Sequence, residues 1–354
     1  MKKLLTVLLA VAWVGIAPPT FAANETLIND TFWLDVAGNP IYAQGGNITL
    51  FSGTYYWYGV QYGGSSSYYS SGTAGSDTSF VSINVYTSTD LVHWTGHNPV
   101  VTTATSGFSG VGWVGRVGSI LHNSSTGLYV MWVEYAGTKG TGMACLTSSS
   151  PTGPFTLHNV QTSITNVFDS VEGDSTLFID VDHGSTPYFI FSDAHGRQHA
   201  YISTLSSDYY TINPATLITE WAQGQEADNM FERNGIYYYI TSNLAGWSYS
   251  SAYAIWSSSI LTPSAYTKDA AFAGTTADDT HHSQVSFALE LKGSADTSYI
   301  MAGDRWADFD SSYKKAGFAL GYNEWCPITF SGNTPTYQSV TSLTINAATG
   351  ALTW

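Results

Sequence analysis

The sequence is poor in charged residues and in helical patterning. Only 10% of its 354 residues are charged, and basic residues are the rarer kind, 11 against 26 acidic ones, for a formal net charge of −15. An acidic surface repels nucleic acid and anionic membranes, so we expect neither as a partner. Apolar residues spaced i, i+3, i+4, i+7 are nearly absent after the N-terminus, which argues against a mainly helical protein.

Cysteine is also scarce. The chain contains Cys145 and Cys326 only, too few for the disulfide framework of a small secreted scaffold. One bridge is compatible with an exported protein. Both cysteines lie in strand-like runs, GMACLTS and EWCPITF, so two buried free thiols are at least as compatible with the sequence. No zinc-ligand spacing is present, and we expect neither a metal nor another cofactor.

The one extended apolar run lies at the N-terminus. Residues 1–22 have the pattern of a signal peptide, with Lys2 and Lys3, an apolar run over residues 4–17, and small residues at 22 and 23. The run is shorter than the ~20 residues of a membrane span, which disfavours the alternative of an uncleaved anchor. Removal of both lysines leaves 9 basic residues against 26 acidic ones, a net charge of −17. We therefore expect a secreted, monomeric protein.

Aromatic and small polar residues are abundant. Phe, Trp and Tyr make up 15% of the chain, which also has 34 glycines. Aromatic rings cover the C–H face of a sugar while polar groups bind its hydroxyls, so this composition suits a polysaccharide or oligosaccharide substrate. Aromatic residues are also common in any β-protein, so composition alone leaves both interpretations open.

A repeated unit predicts the fold. Five times the chain has a strand, a turn and an aromatic-rich strand, and each time a third strand follows. The clearest unit is GQEADNMFERNGIYYYITS from Gly224, where Asn234-Gly235 is a strong hairpin signal. The other units begin at Gln44, Gly115, Gly173 and His282. Five sheet units of about 50 to 70 residues predict an all-β five-bladed β-propeller over residues 23–354, as a single domain. We expect the two chain ends to share the closing blade and segment 61–79 to be a loop.

The repeat also indicates where a site would lie. The first strand of each propeller blade lines the axis, so residues that open these strands converge on one funnel. These residues are Gln44 with Gly45, Gly115 with Arg116, Asp174, Glu226 and Gln284. Two carboxylates in different environments are what glycoside cleavage requires.

Several motifs in this order resemble glycoside hydrolase family 43, specifically its exo-β-1,3-galactanase subfamily. The matching stretches are WLDVAGNPIYAQGG, YYWYG, YTSTDLVHW, YVMW, DSTLF, QEAD, AGW, HSQ and GDRW. The resemblance covers nearly the whole chain after residue 22, and it implies a five-bladed propeller and inverting removal of galactose from β-1,3-galactan.

The resemblance also implies roles. Glu226 matches the general acid, Asp174 the residue that raises the pKa of that acid, and Gln284 the residue that orients the attacking water. Asp278 or Asp279 is the alternative base. We expect Gln44, Arg116, Trp247 and Asp193 to bind substrate, although Trp247 could instead pack in the core. Asp304-Arg305-Trp306 is interpreted as a structural ion-pair segment, and Tyr68 and Tyr69 as residues that do not contact substrate.

Three departures affect the substrate more than the reaction. This chain has Gly115-Arg116-Val117 where the subfamily has Glu-Arg-Pro. It has Leu244-Ala245-Gly246-Trp247 where the subfamily has Thr-Ser-Gly-Trp, and Val60-Gln61 where the subfamily has an acidic residue. Each loses a hydrogen-bonding partner for sugar, which can change specificity greatly. An arabinofuranosidase or xylosidase on the same fold, and a non-catalytic glycan-binding propeller, therefore stay open.

Overall fold

The computed structural model describes residues 24–354 except 72–76, 170–172, 182, 195, 269 and 308–317. The predicted signal peptide lies outside the described residues. Within them the regular secondary structure is almost entirely antiparallel β-strand. The exceptions are one short helix, α1 (Ser65–Ser71), a 3₁₀ turn (Pro263–Ala265) and a tight turn (Asp279–His282). None of the described helices is long or apolar enough to cross a membrane.

The strands form six sheets. After β1 (Glu25–Ile28), the first blade contains β2 (Gln44–Phe51), β3 (Thr54–Tyr62), β4 (Phe80–Ser88), β5 (Thr95–Gly96) and β6 (Val101–Thr102). The second contains β7 (Trp113–Val117), β8 (Leu121–Asn123), β9 (Leu128–Gly137), β10 (Gly140–Ser148) and β11 (Thr156–Gln161). The third contains β12 (Ser175–Asp180), β13 (Thr186–Ser192), β14 (His199–Thr204) and β15 (Thr216–Glu220).

The last two blades and a terminal sheet complete the chain. The fourth blade contains β16 (Gln225–Arg233), β17 (Ile236–Asn243) and β18 (Ala252–Ser257). The fifth contains β19 (Gln284–Lys292), β20 (Thr297–Ala307), β21 (Phe318–Ser331) and β22 (Thr334–Tyr337). The terminal sheet joins β1 to β23 (Ser342–Asn346) and β24 (Ala351–Thr353).

The five blades close into a ring. The innermost strands β2, β7, β12, β16 and β19 each contact the next, and β19 returns to β2. This cyclic order is the five-bladed β-propeller that the repeat predicted. A closed ring removes the exposed sheet edges along the axis, and the opening residues of these strands converge there.

Aromatic side chains hold the blades together. Successive residues of a strand point to opposite faces of the sheet, so aromatic runs supply both faces of a blade. Between the second and third blades Trp132 packs edge-on to Phe189, with ring centroids 6.0 Å apart. Near the chain ends Trp57 and Trp325 lie 5.3 Å apart, and both are fully buried. Each such side chain removes a large apolar area from water.

The terminal sheet corrects one prediction. The two chain ends do pair, Glu25 opposite Ile345 and Ile28 opposite Ser342, but they form a separate sheet and not part of a blade. The fifth blade has four strands of its own between residues 284 and 337 and needs no strand from the N-terminus. Asn29 instead links the ends by donating to the carbonyls of Trp325 at 3.0 Å and Val340 at 2.8 Å.

Two further expectations are settled. Segment 61–79 is not entirely a loop, because β3 ends at Tyr62 and Ser65–Ser71 form α1. A disulfide is excluded, because Cys145 and Cys326 are free thiols buried in different hydrophobic clusters. Both belong to the apolar packing of the blades.

A buried ionic cluster also ties the chain ends to the ring. We call Asp30, His281, Arg305 and Glu324 the His281 cluster. Arg305 pairs with Asp30 at 2.7 Å and with Glu324 at 2.9 Å. His281 Nε2 lies 3.2 Å from Asp30 Oδ2 and 3.8 Å from Glu324 Oε2. Burial alone would lower the pKa of His281, but its hydrogen bonds to Asp278 and Asp30 and the charge of Glu324 outweigh burial and raise this pKa to about 9.

The cluster predicts how stability depends on pH. Because the pKa of His281 is raised in the folded state, protonated His281 stabilises the fold. This stabilisation is complete below the unfolded pKa of about 6.5 and is lost as pH rises through about 9. Asp30 acts in the opposite direction: despite burial, His281 and Arg305 lower its pKa to about 2, so its contribution is lost only in strong acid. We therefore expect the Tm to fall between pH 6.5 and 9. Replacement His281→Gln should flatten that fall in calorimetric scans, and an unchanged slope would contradict the assignment.

Candidate active site

A cavity of about 170 Å³ lies on the propeller axis, where the innermost strands begin. Its wall combines charged or amide groups with aromatic rings and three glycines. The charged and amide residues are Arg116, Asp174, Arg197, Glu226 and Gln284, the aromatic ones are Tyr62, Trp113, Trp247 and Trp306, and the glycines are Gly45, Gly115 and Gly246. The convergence of Arg116, Asp174, Glu226 and Gln284 agrees with the sequence analysis.

Local irregularities aim these residues at the axis. The ladder shifts register between Gln44 and Asn47, Val114 and Val117, Glu226 and Asn229, and Val285 and Phe287. A bulge bends its strand and redirects a side chain, and bulges are common beside active sites. Four of the five innermost strands are therefore bulged where they meet the cavity.

Glu226 is held by three N–H donors on one carboxyl oxygen. Its Oε1 accepts from Gln284 Nε2 at 2.7 Å, Ala245 N at 2.9 Å and Gly246 N at 3.1 Å. Because these donors share Oε1, the proton of the neutral acid belongs on Oε2. Burial raises the pKa of Glu226, and the negative charge of Asp174 raises it further. A carboxyl that keeps its proton near neutral pH can act as a general acid.

Asp174 has the opposite environment. Its Oδ2 accepts from Arg116 Nε at 3.1 Å and from Ala227 N at 2.7 Å, and Arg197 Nη1 lies 3.6 Å from Oδ1. Burial alone would raise the pKa of Asp174, but Arg116 and Arg197 outweigh it and lower this pKa. The pKa of Asp174 is therefore lowered while that of Glu226 is raised. Two titratable groups with opposed shifts are typical of an acid–base site.

Gln284 is oriented by donors on its carbonyl side. Gln284 Oε1 accepts from Arg116 Nη2 at 2.7 Å and from Trp306 Nε1 at 2.8 Å. This leaves its NH₂ group to donate to Glu226. The amide thus links the guanidinium of Arg116 to the carboxyl of Glu226, and its orientation follows from the hydrogen bonds.

The aromatic residues form a continuous wall. Trp247 meets Trp306 edge-on, with centroids 4.7 Å apart, and Trp113 at 5.3 Å. Tyr62 lies behind all three. Trp247 is half-buried and faces the cavity, so of its two proposed roles the structure favours a surface for a sugar ring.

Two predicted binding residues do not line the cavity. Gln44 is buried and donates to the backbone carbonyls of Arg305, Ala319 and Tyr322, which fixes the ring and leaves Gly45 at the cavity wall. Asp193 directly follows β13 in the third blade, and its Oδ2 is 2.5 Å from His199 Nδ1. Position at a blade opening did not reveal which way the Gln44 side chain points.

The alternative base residues also lie elsewhere. Asp278 accepts from His281 N at 3.1 Å and from the hydroxyl of Ser339, and neither it nor Asp279 lines the cavity. Tyr68 and Tyr69 pack on Phe32 with centroids 5.5 and 5.0 Å away. Neither tyrosine lines the cavity, and the absence of a substrate contact stays a prediction.

Several site residues were missed from the sequence. Trp306 and Asp304 were interpreted as purely structural, yet Trp306 lines the cavity and Asp304 accepts from Arg116 Nη1 at 3.2 Å. Their alternation with Arg305 in one strand was the available signal, since alternate residues share a face. Arg197 lies in a turn, and no sequence signal pointed to it.

Glu134 is the other missed residue, and it explains a glycine. A β-carbon on Gly115 would lie 2.0 Å from Glu134 Oε2, so the carboxyl fills the space of a side chain at position 115. Glu134 is buried, and its Oε1 is 3.8 Å from Arg197 Nη2. Burial raises the pKa of Glu134 to about 8 despite Arg197. At this site the chain has Gly115 where the subfamily has the Glu of Glu-Arg-Pro, and a carboxyl from the neighbouring strand, that of Glu134, lies there instead.

Two groups of side chains have ligand atoms close enough for a metal ion among the described residues. Asp30, His281 and Glu324 form one, and Glu25, Asp90 and His93 the other. In the first group Arg305 already supplies the positive charge. Neither group lines the axial cavity.

A propeller whose axis holds an acid–base pair of carboxylates beside aromatic rings defines a carbohydrate-active site. Residues 58–301 match the family model described as glycosyl hydrolases family 43. The chain belongs to this family.

Individual relatives are consistent with this family assignment. The chain is 26% identical to an exo-β-1,3-galactanase from Clostridium thermocellum, with a TM-score of 0.78 over 93% of this chain and 68% of the other. It is also 26% identical to an exo-β-1,3-galactanase from Phanerochaete chrysosporium with β-1,3-galactotriose, with a TM-score of 0.74 over 93% and 70%. A β-D-galactofuranosidase from Aspergillus niger is 26% identical over 46% of this chain, which spans about half (48%) of that relative.

The contact between Gly115 and Glu134 predicts that no side chain is tolerated at position 115. In Gly115→Ala the new methyl group would overlap Glu134 Oε2 at 2.0 Å, so Glu134 or the backbone of Arg116 must move. We expect kcat/KM to fall by at least about tenfold, because small displacements of catalytic groups are costly. Gly112→Ala is the matched control, since its β-carbon meets nothing closer than Ala136 O at 3.5 Å. Equal activity of the two variants would contradict the prediction.

Proposed function

We propose that this protein is an inverting exo-β-1,3-galactanase in which Glu226 is the general acid. The observation that carries the proposal is the pair of opposed pKa shifts in one cavity, raised at Glu226 and lowered at Asp174. Family 43 membership supports glycoside hydrolysis, and the galactanases from C. thermocellum and P. chrysosporium support the sugar and linkage.

The cavity supports action at a chain end. Its volume of about 170 Å³ is below the range of about 300–1,000 Å³ typical of pockets for drug-sized ligands. A space of this size accommodates one sugar ring against Trp247, with the glycosidic oxygen toward Glu226. A chain end fits this geometry better than the middle of a polymer.

The proposed reaction uses one proton transfer at Glu226. Glu226 gives its Oε2 proton to the glycosidic oxygen as the bond from that oxygen to C1 breaks. A water attacks C1 from the opposite face and releases a proton to solvent as the C1–OH bond forms, so one water is consumed for each sugar released. The negative charge of Asp174 keeps Glu226 protonated before this step and helps it regain a proton afterwards.

Gln284 orients the attacking water in this proposal, which requires a movement. Inverting glycosidases keep the acid and the group that assists water about 6.5–9.5 Å apart, whereas Gln284 Nε2 is 2.7 Å from Glu226 Oε1. The sugar must therefore open this contact when it binds. Trp306 and Arg116 still hold the Gln284 carbonyl, so the amide can turn about a fixed anchor.

A second candidate keeps the fold and changes the sugar. The A. niger relative acts, by its name, on β-D-galactofuranosides, and the carboxyl beside position 115 comes from Glu134 instead of from that position itself. A furanosidase, with galactofuranose or arabinofuranose as the terminal sugar, is therefore the alternative to test beside β-1,3-galactan.

We also propose that the protein is exported and acts on an extracellular polysaccharide. The basic residues Lys2 and Lys3, the apolar run and the small residues at 22 and 23 support this proposal. The N-terminal sequence of the mature protein tests it: a start near Ala23 agrees with cleavage, and a retained Met1 contradicts it.

The general acid is tested with Glu226→Gln. Loss of the proton donor should lower kcat on β-1,3-galactobiose by about 10² to 10⁴-fold with little change in galactose binding by calorimetry. A substrate with an activated aryl leaving group should lose much less, because that group leaves without a proton. NMR of the wild-type reaction should show the α-anomer first.

The control and the contrary outcomes separate the candidates. Glu220→Gln alters a carboxylate that is 74% exposed and should leave kcat unchanged. Wild-type turnover of furanosides alone would favour the second candidate. Binding without turnover on any glycoside would identify a glycan-binding propeller.

The role of Asp174 predicts a shifted pH profile. The negative charge of Asp174 raises the pKa of Glu226, so Asp174→Asn should lower it. Activity requires protonated Glu226, and the alkaline limb of kcat/KM should therefore move to lower pH. Profiles of wild type and variant on β-1,3-galactobiose measure this shift, because its leaving group requires the proton of Glu226. A limb that stays in place or moves to higher pH would exclude the proposed influence of Asp174 on Glu226.

A further inference from the structure

The His281 cluster lies next to two parts of the active site, the turn before Gln284 and the strand that carries Trp306. It contains Asp30, His281, Arg305 and Glu324, and the side chains of Arg305 and Glu324 are fully buried. The reaction proposed above uses none of these four residues. A buried charged cluster is costly to desolvate unless each charge is paired, so its position beside the cavity requires an explanation.

The turn that carries His281 has an unusual backbone. Asp279, Thr280, His281 and His282 all have positive φ, between 51° and 60°. Residues other than glycine avoid this left-handed region, and four in succession persist only when their surroundings impose the conformation. Arg305 Nη2 donates to the carbonyl of His281 at 2.6 Å, and Thr280 Oγ1 donates to Ser250 O at 2.7 Å.

The side chain of His281 holds the same turn from outside. Its Nδ1 is 2.6 Å from Ser339 Oγ and its Nε2 is 3.2 Å from Asp30 Oδ2. Asp30 belongs to the N-terminal segment and Ser339 to the segment after the fifth blade. The two ends of the chain therefore fix the turn jointly.

Two members of the cluster, His281 and Arg305, lie close in sequence to residues of the cavity. The turn ends at His282, two residues before Gln284, which donates to Glu226. Arg305 lies between Asp304, which binds Arg116, and Trp306, which donates to Gln284. Successive strand residues face opposite sides, so Arg305 anchors from behind the strand that presents Trp306.

We propose that the His281 cluster positions Gln284 for the reaction, with His281 and Arg305 as positioning residues that hold the turn before Gln284 and the strand that presents Trp306. The inference rests on the proposed function for the meaning of Gln284. It adds that the N-terminal segment, through Asp30, takes part in catalysis although it lies outside the cavity.

The test compares His281→Ala with His93→Ala. His93 forms a similar pair with Asp90 at 3.0 Å but lies in the first blade and does not line the cavity. We expect His281→Ala to lower kcat on β-1,3-galactobiose between about tenfold and 100-fold with KM within about threefold, since the sugar surface of Trp247 is untouched. His93→Ala should retain wild-type kcat. Equal kcat in the two variants would overturn the proposal.

A double-mutant cycle with Gln284→Ala separates positioning from general destabilisation. If His281 acts through Gln284, the variant with both changes should be no slower than Gln284→Ala alone. Independent, multiplying losses would overturn the proposal. If His281→Ala does not fold, Asp30→Asn replaces it, because Asp30 is 30% exposed and the change keeps the shape of the side chain.

A crystal structure of His281→Ala makes the test independent of the substrate. The proposal expects the Gln284 amide to leave its 2.7 Å contact with Glu226 in this variant and to keep it in His93→Ala. An unmoved Gln284 would overturn the positioning role even if the enzyme is active. Wild-type inactivity on galactans with a displaced Gln284 would instead reject the proposed substrate and support the positioning.

Discussion

The site depends on the guanidinium of Arg116. Its Nε donates to Asp174 at the opening of the third blade, its Nη1 to Ser286 and Asp304 in the fifth, and its Nη2 to Gln284. Arg116 itself belongs to the second blade. Arginine presents five donors in a planar fork, so one side chain can orient several acceptors. Breaking such a buried pair typically costs about 3–5 kcal/mol because a charge is left without a partner.

This arrangement explains how two carboxyls in one small cavity differ. Arg116 and Arg197 both face Asp174 and lower its pKa. Burial of Glu226 and the negative charge of Asp174 raise the pKa of Glu226, and together they outweigh the hydrogen bond from Ala245 N, which lowers it. The difference comes from which residue lies beside the guanidinium groups, because the intrinsic pKa values of Asp and Glu are similar.

The propeller places these groups with local distortion. Bulges occur where four of the innermost strands meet the cavity, and a left-handed turn precedes Gln284. Left-handed backbone costs roughly 1–2 kcal/mol for each residue other than glycine. The regular parts of the blades, held by interlocking aromatic side chains, provide the stability against which this distortion persists. Strain of this kind clusters at functional sites because it fixes the direction of a side chain.

Most of the fold was predictable because blades repeat. Alternation within strands and the Asn234-Gly235 hairpin are local signals, and they predicted five units whose innermost strands are those observed. The predicted convergence of Arg116, Asp174, Glu226 and Gln284 followed from the geometry of a propeller axis. Gln44 and Asp193 failed as cavity residues because the direction of a side chain depends on its hydrogen-bond partners. Gln44 donates to three backbone carbonyls, and the carboxylate of Asp193 pairs with His199.

The sequence by itself determined the number of blades, the acidic and aromatic character of the chain, and the residue types at the axis. Each of these follows from composition or from short stretches of consecutive residues. Only the tertiary structure decided which of the two carboxyls has the lowered pKa, since Arg116 and Arg197 reach Asp174 from distant parts of the chain. It also decided that Glu134 occupies the space beside Gly115, and that Asp30 supports the turn before Gln284. These contacts join residues far apart in sequence, and no local pattern specifies them.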